Sequence, residues 1–295
     1  MIIDSLPDLT SHPRHVRIRT IVLPELKVMY VPVPKAGCTS LLWLMARLGG
    51  RDESDFVRSR RPSVSPDMLV HDPGMWDPAL RLSQHPDEAA EAMWTGDDWF
   101  RYTVVREPAS RIWSAWQSKL LLREPGFVRR FASAGWIPDV PSSAGQIRDA
   151  FAPFLRSVAA GGPDAPADVH WASQAGLLGS LPLTHVGRVS EMSRTLDLLR
   201  AHIGADLPDL PAANPSPFRF VPALLDDADR KAMNELTAPD RERFGYAPVA
   251  DPADPDGELA RWRESVEPLL PLVRELIQRH RRIDQLAQVA SEPTR

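Results

Sequence analysis

Residues 27–40 read KVMYVPVPKAGCTS, and this stretch decides the fold. Its first half, residues 27–33, is rich in β-branched and aromatic side chains and is typical of a strand. Residues 34–39 interrupt that pattern, and residues 40–48, SLLWLMARL, form an apolar helical pattern that ends at Gly49. A strand, a glycine-containing turn and a helix in this order predict the first βα unit of an α/β protein.

The same order recurs along the chain. Residues 100–105, FRYTVV, predict a second strand, with a helix following over about residues 110–122. Residues 184–189 predict a third strand before an amphipathic helix over residues 191–203. A short strand is also predicted at residues 68–70. Together these units predict a central parallel sheet flanked by helices, followed by a mostly helical C-terminal part that ends near residue 289.

Composition narrows the function classes. The chain has 295 residues, of which 43% are hydrophobic and 25% charged, enough apolar surface for one substantial core. A net charge of −4 excludes the overall basic field of a nucleic-acid binder. The single cysteine, Cys38, excludes an internal disulfide framework and a multi-cysteine zinc site. With no run of 18 apolar residues and no signal-peptide pattern, we expect a cytoplasmic protein without a membrane span.

The turn after the first strand is a candidate anion-binding site. The N-terminus of a helix presents backbone N–H groups and a positive dipole, Gly37 permits close approach, and Lys35 adds a charge. The pattern is not the Walker A loop, because here the lysine precedes the glycine. An ordinary βα turn with an incidental lysine remains the alternative. The candidate residues are those of the turn and the first helical turn: Lys35, Ala36, Gly37, Cys38, Thr39 and Ser40.

A second candidate follows the strand at residues 100–105, where residues 106–119 read REPASRIWSAWQSK. Arg106 stands at the C-terminal end of its strand, the edge at which open α/β sheets bind ligands. Ser114 follows eight residues later, on a helix that turns back towards the same edge. We expect Trp113 and Trp116 to pack in the core, whereas Arg111 is open between a site role and a solvated surface role.

Together, residues 34–40 and 106–119 resemble the nucleotide-binding signatures of sulfotransferases. They are most similar to the carbohydrate sulfotransferases that include the chondroitin and dermatan enzymes and bacterial relatives. Three further matches follow in order: His170-Trp171 with Gln174, Val186-Gly187-Arg188 with Glu191, and Asp240 with Phe244-Gly245-Tyr246. The resemblance covers roughly residues 27–246. Leu178 and Leu181 stand where secretory relatives often carry Cys-x-x-Cys, which points to a bacterial-type, cytoplasmic enzyme.

The resemblance implies a P-loop-like sulfotransferase fold over residues 1–250 with a helical extension over residues 251–295. It implies transfer of a sulfuryl group from 3′-phosphoadenylyl sulfate (PAPS) to an acceptor hydroxyl, which we expect on a carbohydrate or glycosylated molecule. Lys35 would stabilise the leaving oxygen, and Arg106 and Ser114 would bind the 3′-phosphate. A sulfuryl group carries less negative charge than a phosphoryl group, so we expect no metal requirement.

The acceptor hydroxyl needs a general base. We predict His71, which lies between the two nucleotide motifs, and His170 of the His-Trp motif is the open alternative. The rival functions are a kinase with an atypical phosphate loop and a PAPS-binding module without turnover. The C-terminal helical tract is a candidate packing or homo-oligomer helix. Five arginines are candidates for binding an anionic acceptor: Arg58, Arg60, Arg61, Arg129 and Arg130.

Overall fold

The computed structural model describes residues 14–57, 66–131, 134–161, 168–210 and 216–291. The chain forms two compact units. The sheet unit consists of Met1–Glu107 and Gln174–Pro215, and the helical unit consists of Pro108–Ser173 and Ser216–Arg295. The domain boundary predicted at residue 250 stays a prediction.

The described residues form a four-stranded sheet in the order β1 (Ile21–Leu23), β2 (Val28–Tyr30), β3 (Phe100–Val105) and β4 (His185–Arg188). Strands β2, β3 and β4 are parallel, which confirms the predicted parallel sheet. Strand β1 runs antiparallel to β2 across a 3₁₀ turn at Pro24–Leu26 and was not predicted. Three apolar residues before a proline are too short a pattern to identify an edge strand without its partner.

The described residues of the sheet unit form the following helices, numbered along the whole chain: α1 (Arg14–Arg19), α2 (Cys38–Leu48), α3 (Glu53–Val57), α4 (Pro66–Leu69), α5 (Asp87–Thr95), α8 (Gln174–Leu178) and α9 (Met192–Ile203). Helix α2 packs against β1, and α9 packs against β3 and β4. The helices predicted after the first and third strands are therefore confirmed. These helices and strands share a buried apolar layer. It includes the stacked rings of Tyr30 and Tyr102, whose centroids are 5.0 Å apart.

The strand predicted at residues 68–70 is wrong. Residues 66–69 form α4, and the His71 N–H donates to the Met68 carbonyl at 3.1 Å to close the turn that follows. Leu69 and Val70 are both buried, so burial does not alternate as it does in a half-exposed strand. A three-residue apolar run does not distinguish a strand from a helical turn, and here the proline at the first helical position favours the helix.

The helical unit contains α6 (Pro108–Trp116), α7 (Ala144–Ala160), α10 (Asp227–Phe244), α11 (Pro255–Val266) and α12 (Leu270–Ser291). Helix α6 continues into a π-helical segment, Gln117–Leu121. Trp113 and Trp116 are buried with their ring centroids 5.0 Å apart, which confirms their predicted packing role. Trp262 from α11 and Ile277 from α12 belong to the same core. The predicted helical C-terminal part is therefore confirmed.

Crossing a bilayer needs a long, apolar helix, and none occurs in the described part of the chain.

Candidate active site

The loop between β2 and α2 has an unusual backbone. Lys35 has φ 66° and Gly37 has φ 75°, so two of its residues are in the left-handed region. Glycine adopts this conformation freely, whereas a lysine there is strained. Gly37 is the N-cap of α2, and no side chain at that position accepts a hydrogen bond from the first helical turn. The loop therefore presents the positive end of an 11-residue helix beside the lysine.

Arg106 lies one residue beyond β3 and contacts this loop. Its Nη1 donates to the Lys35 carbonyl oxygen at 3.3 Å, so the structure brings the first residue of the second predicted motif against the loop of the first. The side chain is half-buried, and burial lowers the pKa of Arg106 while the charge of Glu107 raises it. Among the described residues, no carboxylate forms an ion pair with Arg106. The site thus holds a desolvated cation whose charge suits a bound anion.

His71 also belongs to this site. Its Nε2 lies 2.9 Å from the Thr39 hydroxyl oxygen, in the first turn of α2, although the two residues are 32 positions apart. Arg19 donates to the His71 carbonyl oxygen. The Asp72 carboxylate accepts from the Gly74 N–H at 2.9 Å and caps the following turn. The imidazole is therefore held beside the predicted anion-binding loop by an ordered backbone.

Two contributors to the site were not assigned a role from the sequence. Arg19 carries no motif signal, because it is one arginine among many in a polar stretch. Gln174 belongs to the motif that resembles the family, but its contact was not predicted. Its side-chain amide accepts from the Arg106 N–H and donates to the Arg106 carbonyl, both at 2.9 Å. The contact of Arg19 with His71 and the contacts of Gln174 with Arg106 each join residues that are distant in sequence.

Ser114 and His170, two further predicted site residues, belong to the helical unit. Ser114 is buried on α6, with its hydroxyl oxygen 2.7 Å from that of Ser216. Its predicted phosphate contact stays a prediction. Arg111 is buried rather than solvated and donates to the carbonyl oxygens of Val169 (3.0 Å) and Ala172 (2.7 Å). Arg111 therefore holds the turn that carries His170.

His170 forms a dyad with Asp168. The Nδ1 of His170 lies against Asp168 Oδ1, and Asp168 Oδ2 lies 3.2 Å from Arg130 Nη1. Burial lowers the pKa of His170 to about 4, although the hydrogen bond with Asp168 opposes this shift. Burial raises the pKa of Asp168, but its bonds with His170 outweigh that effect and the result is a lowered pKa. At neutral pH the imidazole is neutral, and its Nδ1–H donates to the carboxylate.

The arginines predicted to bind an anionic acceptor have other partners where they are described. Arg129 lies 3.6 Å from the Asp284 carboxylate. Arg130 pairs with Asp168 and lies over the rings of Phe127 and Phe131. Arg58, Arg60 and Arg61 lie outside the described residues. Within the described ranges, no three His, Cys, Asp or Glu side chains are grouped as metal ligands.

The fold and the site are those of an α/β protein whose first strand-to-helix loop carries a lysine at the N-terminus of a helix. The sulfotransferase family model matches residues 19–205, more than half of the chain, so the protein belongs to the sulfotransferase family. No curated protein and no solved structure matches the chain. Family membership makes the protein a transferase of sulfuryl groups with a hydroxyl-bearing acceptor, and it favours this activity over the kinase alternative.

Proposed function

We propose that this protein transfers a sulfuryl group from PAPS to a hydroxyl of a carbohydrate or glycosylated acceptor, with His71 as general base. The main support for this proposal is that three predicted site residues, Lys35, Arg106 and His71, lie close to one loop of the sheet unit. Arg106 contacts the Lys35 carbonyl at 3.3 Å, and His71 lies 2.9 Å from the Thr39 hydroxyl. The loop itself carries Lys35, which is proposed to stabilise the leaving oxygen. Beside it lie Arg106, proposed to bind the phosphate, and His71, proposed to deprotonate the acceptor hydroxyl.

The donor site fits the anionic groups of PAPS. The N-terminus of α2 and the Lys35 charge suit the 5′-phosphosulfate, and Gly37 lets the backbone approach it. Arg106 suits the 3′-phosphate, because a guanidinium binds phosphate oxygens with two parallel hydrogen bonds. The absence of an ion-pair partner for Arg106 among the described residues supports this assignment. Ser114 is proposed as a second donor to the same phosphate.

In the proposed reaction, His71 accepts the proton of the acceptor hydroxyl as the acceptor oxygen bonds to sulfur. The bond from sulfur to the bridging phosphate oxygen breaks in line, and Lys35 stabilises the charge that develops on that oxygen. Thr39 orients the imidazole through its hydroxyl. One S–O bond forms as another breaks, one proton passes from the acceptor hydroxyl to His71, and no redox step is needed. We also propose that it needs no metal, which an assay in excess chelator tests.

His170 is the second candidate base, and the Asp168 contact favours it. A carboxylate on Nδ1 fixes the tautomer and leaves the Nε2 lone pair as the proton acceptor. The two histidines are distinguished by their variants. His71→Gln is expected to lower kcat by about 10²–10⁴-fold with little change in PAPS binding. If His170→Gln shows that pattern and His71→Gln does not, His170 is the base.

The decisive experiment is transfer of labelled sulfate from PAPS to a panel of polysaccharides, glycolipids, phenols and simple alcohols. We expect transfer to a carbohydrate hydroxyl, and Lys35→Met is expected to lower its kcat by about 10²–10³-fold. Lys231→Met is the matched control, because Lys231 is an exposed lysine of α10 in the helical unit. PAPS binding without transfer to any acceptor would instead indicate a binding module. Equal activity of Lys35→Met and wild type would refute the site.

We also propose that the protein is a bacterial-type enzyme of the cytoplasm. The replacement of the expected cysteines by Leu178 and Leu181 supports a bacterial-type enzyme in the cytoplasm. Helix α12 exposes Leu272, Leu286 and Val289, which makes it the proposed surface for self-association. Light scattering at several protein concentrations measures the oligomeric state, and a monomer at all of them would exclude a stable homo-oligomer.

A further inference from the structure

Gln174 is a fully buried polar residue at the start of α8. Its Oε1 accepts from the Arg106 backbone N–H at 2.9 Å, and its Nε2 donates to the Arg106 carbonyl at 2.9 Å. A primary amide has one acceptor and two donor hydrogens, so a single side chain satisfies both backbone groups of one residue. Because burying an unpaired amide is costly, this pairing fixes the side chain and the backbone together.

The contact of Gln174 with Arg106 lies just beyond the end of the β3–β4 pairing. The register of β3 with β4 ends at Val105 opposite Arg188, so Arg106 lies beyond the last strand pair. The Gln174 amide takes the place of a neighbouring strand there and satisfies one more residue at the carboxyl edge of the sheet. The residue held in this way carries the guanidinium that reaches the Lys35 carbonyl.

We propose that Gln174 is a positioning residue for Arg106 and thereby determines recognition of the donor's 3′-phosphate. This inference rests on the proposed function, in which Arg106 binds that phosphate. Gln174 touches the Arg106 backbone rather than the phosphate itself. Its loss therefore changes the direction of the guanidinium, while the groups that hold the 5′-phosphosulfate stay in place.

The same strand offers a matched control at its other end. The Thr184 hydroxyl accepts from the Arg101 N–H at 2.9 Å and donates to the Arg101 carbonyl at 3.0 Å. Thr184 thus bridges the backbone of one β3 residue just as Gln174 does, but at the edge away from Arg106. Gln174→Met and Thr184→Val each replace such a bridge with an apolar side chain of similar length.

The test is calorimetric titration of wild type and both variants with adenosine 3′,5′-bisphosphate and with AMP, which lacks the 3′-phosphate. The ratio of the two affinities isolates the contribution of that phosphate. We expect Gln174→Met to reduce the ratio by about tenfold, a loss similar to one hydrogen bond to a charged group, with the AMP affinity retained. Thr184→Val is expected to keep the wild-type ratio. In turnover, Gln174→Met should raise KM for PAPS and leave kcat at saturating PAPS unchanged.

A wild-type ratio in Gln174→Met overturns the inference, and so does an equal loss of affinity for both nucleotides, which indicates a purely structural role. If wild type itself fails to prefer the bisphosphate, the proposed function is refuted and the inference falls with it. If Gln174→Met does not fold, Gln174→Asn gives the same measurement. That variant keeps a neutral amide but is one methylene shorter, so it cannot bridge the Arg106 N–H and carbonyl in the same way and a reduced ratio is again expected.

Discussion

Replacement of Lys35 by asparagine is expected to stabilise the protein and inactivate it. Lys35 has φ 66°, and the left-handed conformation costs an ordinary L-residue about 1–2 kcal/mol. Asparagine tolerates this region better, because its short amide hydrogen-bonds to the local backbone. We therefore expect the free energy of unfolding of Lys35→Asn to rise by about 0.5–1 kcal/mol, part of the left-handed cost. Loss of the charge at the leaving oxygen should lower kcat by about 10²–10³-fold.

Lys27 provides the matched control. It has φ 53° and is the C-cap of the 3₁₀ turn before β2, so it lies outside the loop between β2 and α2. Its amine lies 3.7 Å from Asp98, an exposed pair worth at most about 1 kcal/mol. Lys27→Asn should therefore leave stability within about 1 kcal/mol of wild type, because relief of the backbone cost and loss of this pair oppose each other. Its kcat should match wild type.

Urea denaturation measures stability, and transfer of labelled sulfate from PAPS measures kcat. A loss of more than about 1 kcal/mol in Lys35→Asn would refute the argument from backbone strain. Retention of more than about a tenth of the wild-type kcat would refute the catalytic role of the lysine, since losing a single stabilising donor costs more than that.

Three further predictions test the site and the fold. Arg106→Met should change the free energy of unfolding by less than about 1 kcal/mol, because only a long hydrogen bond is lost and a desolvated charge is removed, while bisphosphate affinity in calorimetry falls about 10–100-fold. Because the pKa of His170 falls from 6.5 to about 4 on folding, the unfolded state binds the extra proton between these values, and stability should decrease as pH falls through that window. Denaturation curves at several pH values should show that the free energy of unfolding of His170→Gln falls less steeply with decreasing pH than that of wild type. An identical dependence on pH would contradict the lowered pKa of His170. Gly187→Ala should cost about 1–3 kcal/mol in urea denaturation, because its Cβ would lie 2.1 Å from the Thr195 hydroxyl oxygen, whereas Gly135→Ala has open space and should be nearly neutral.

The local parts of the fold could be predicted because their signals are local. The strand over residues 100–105 was predicted with its observed bounds, since five of its six residues are strand-forming types and the run ends at a turn. The helix after residue 40 was predicted from its own apolar pattern and its terminal glycines. Residues 68–70 show the limit of this reasoning, because so short a run takes its conformation from its surroundings.

The candidate site also has a part that local sequence predicts and a part that depends on the fold. Lys35 and Gly37 follow from a strand, a turn and a helix that are continuous in the chain. The left-handed backbone of Lys35 does not, because nothing in the residue type indicates it. Arg106 was placed at a strand end, but its contact with the Lys35 carbonyl depends on β2 and β3 being neighbours.

By itself, the sequence determined the three strand-helix units, the loop predicted to bind an anion and the resemblance to sulfotransferases, since each is carried by residues adjacent in the chain. Tertiary structure alone decided that β1 is an antiparallel edge strand and that His71 lies against Thr39. It also decided that Gln174 holds the Arg106 backbone. Each of these features depends on hydrogen bonds between separate elements, and such a bond requires the fold to hold its two partners within hydrogen-bonding distance.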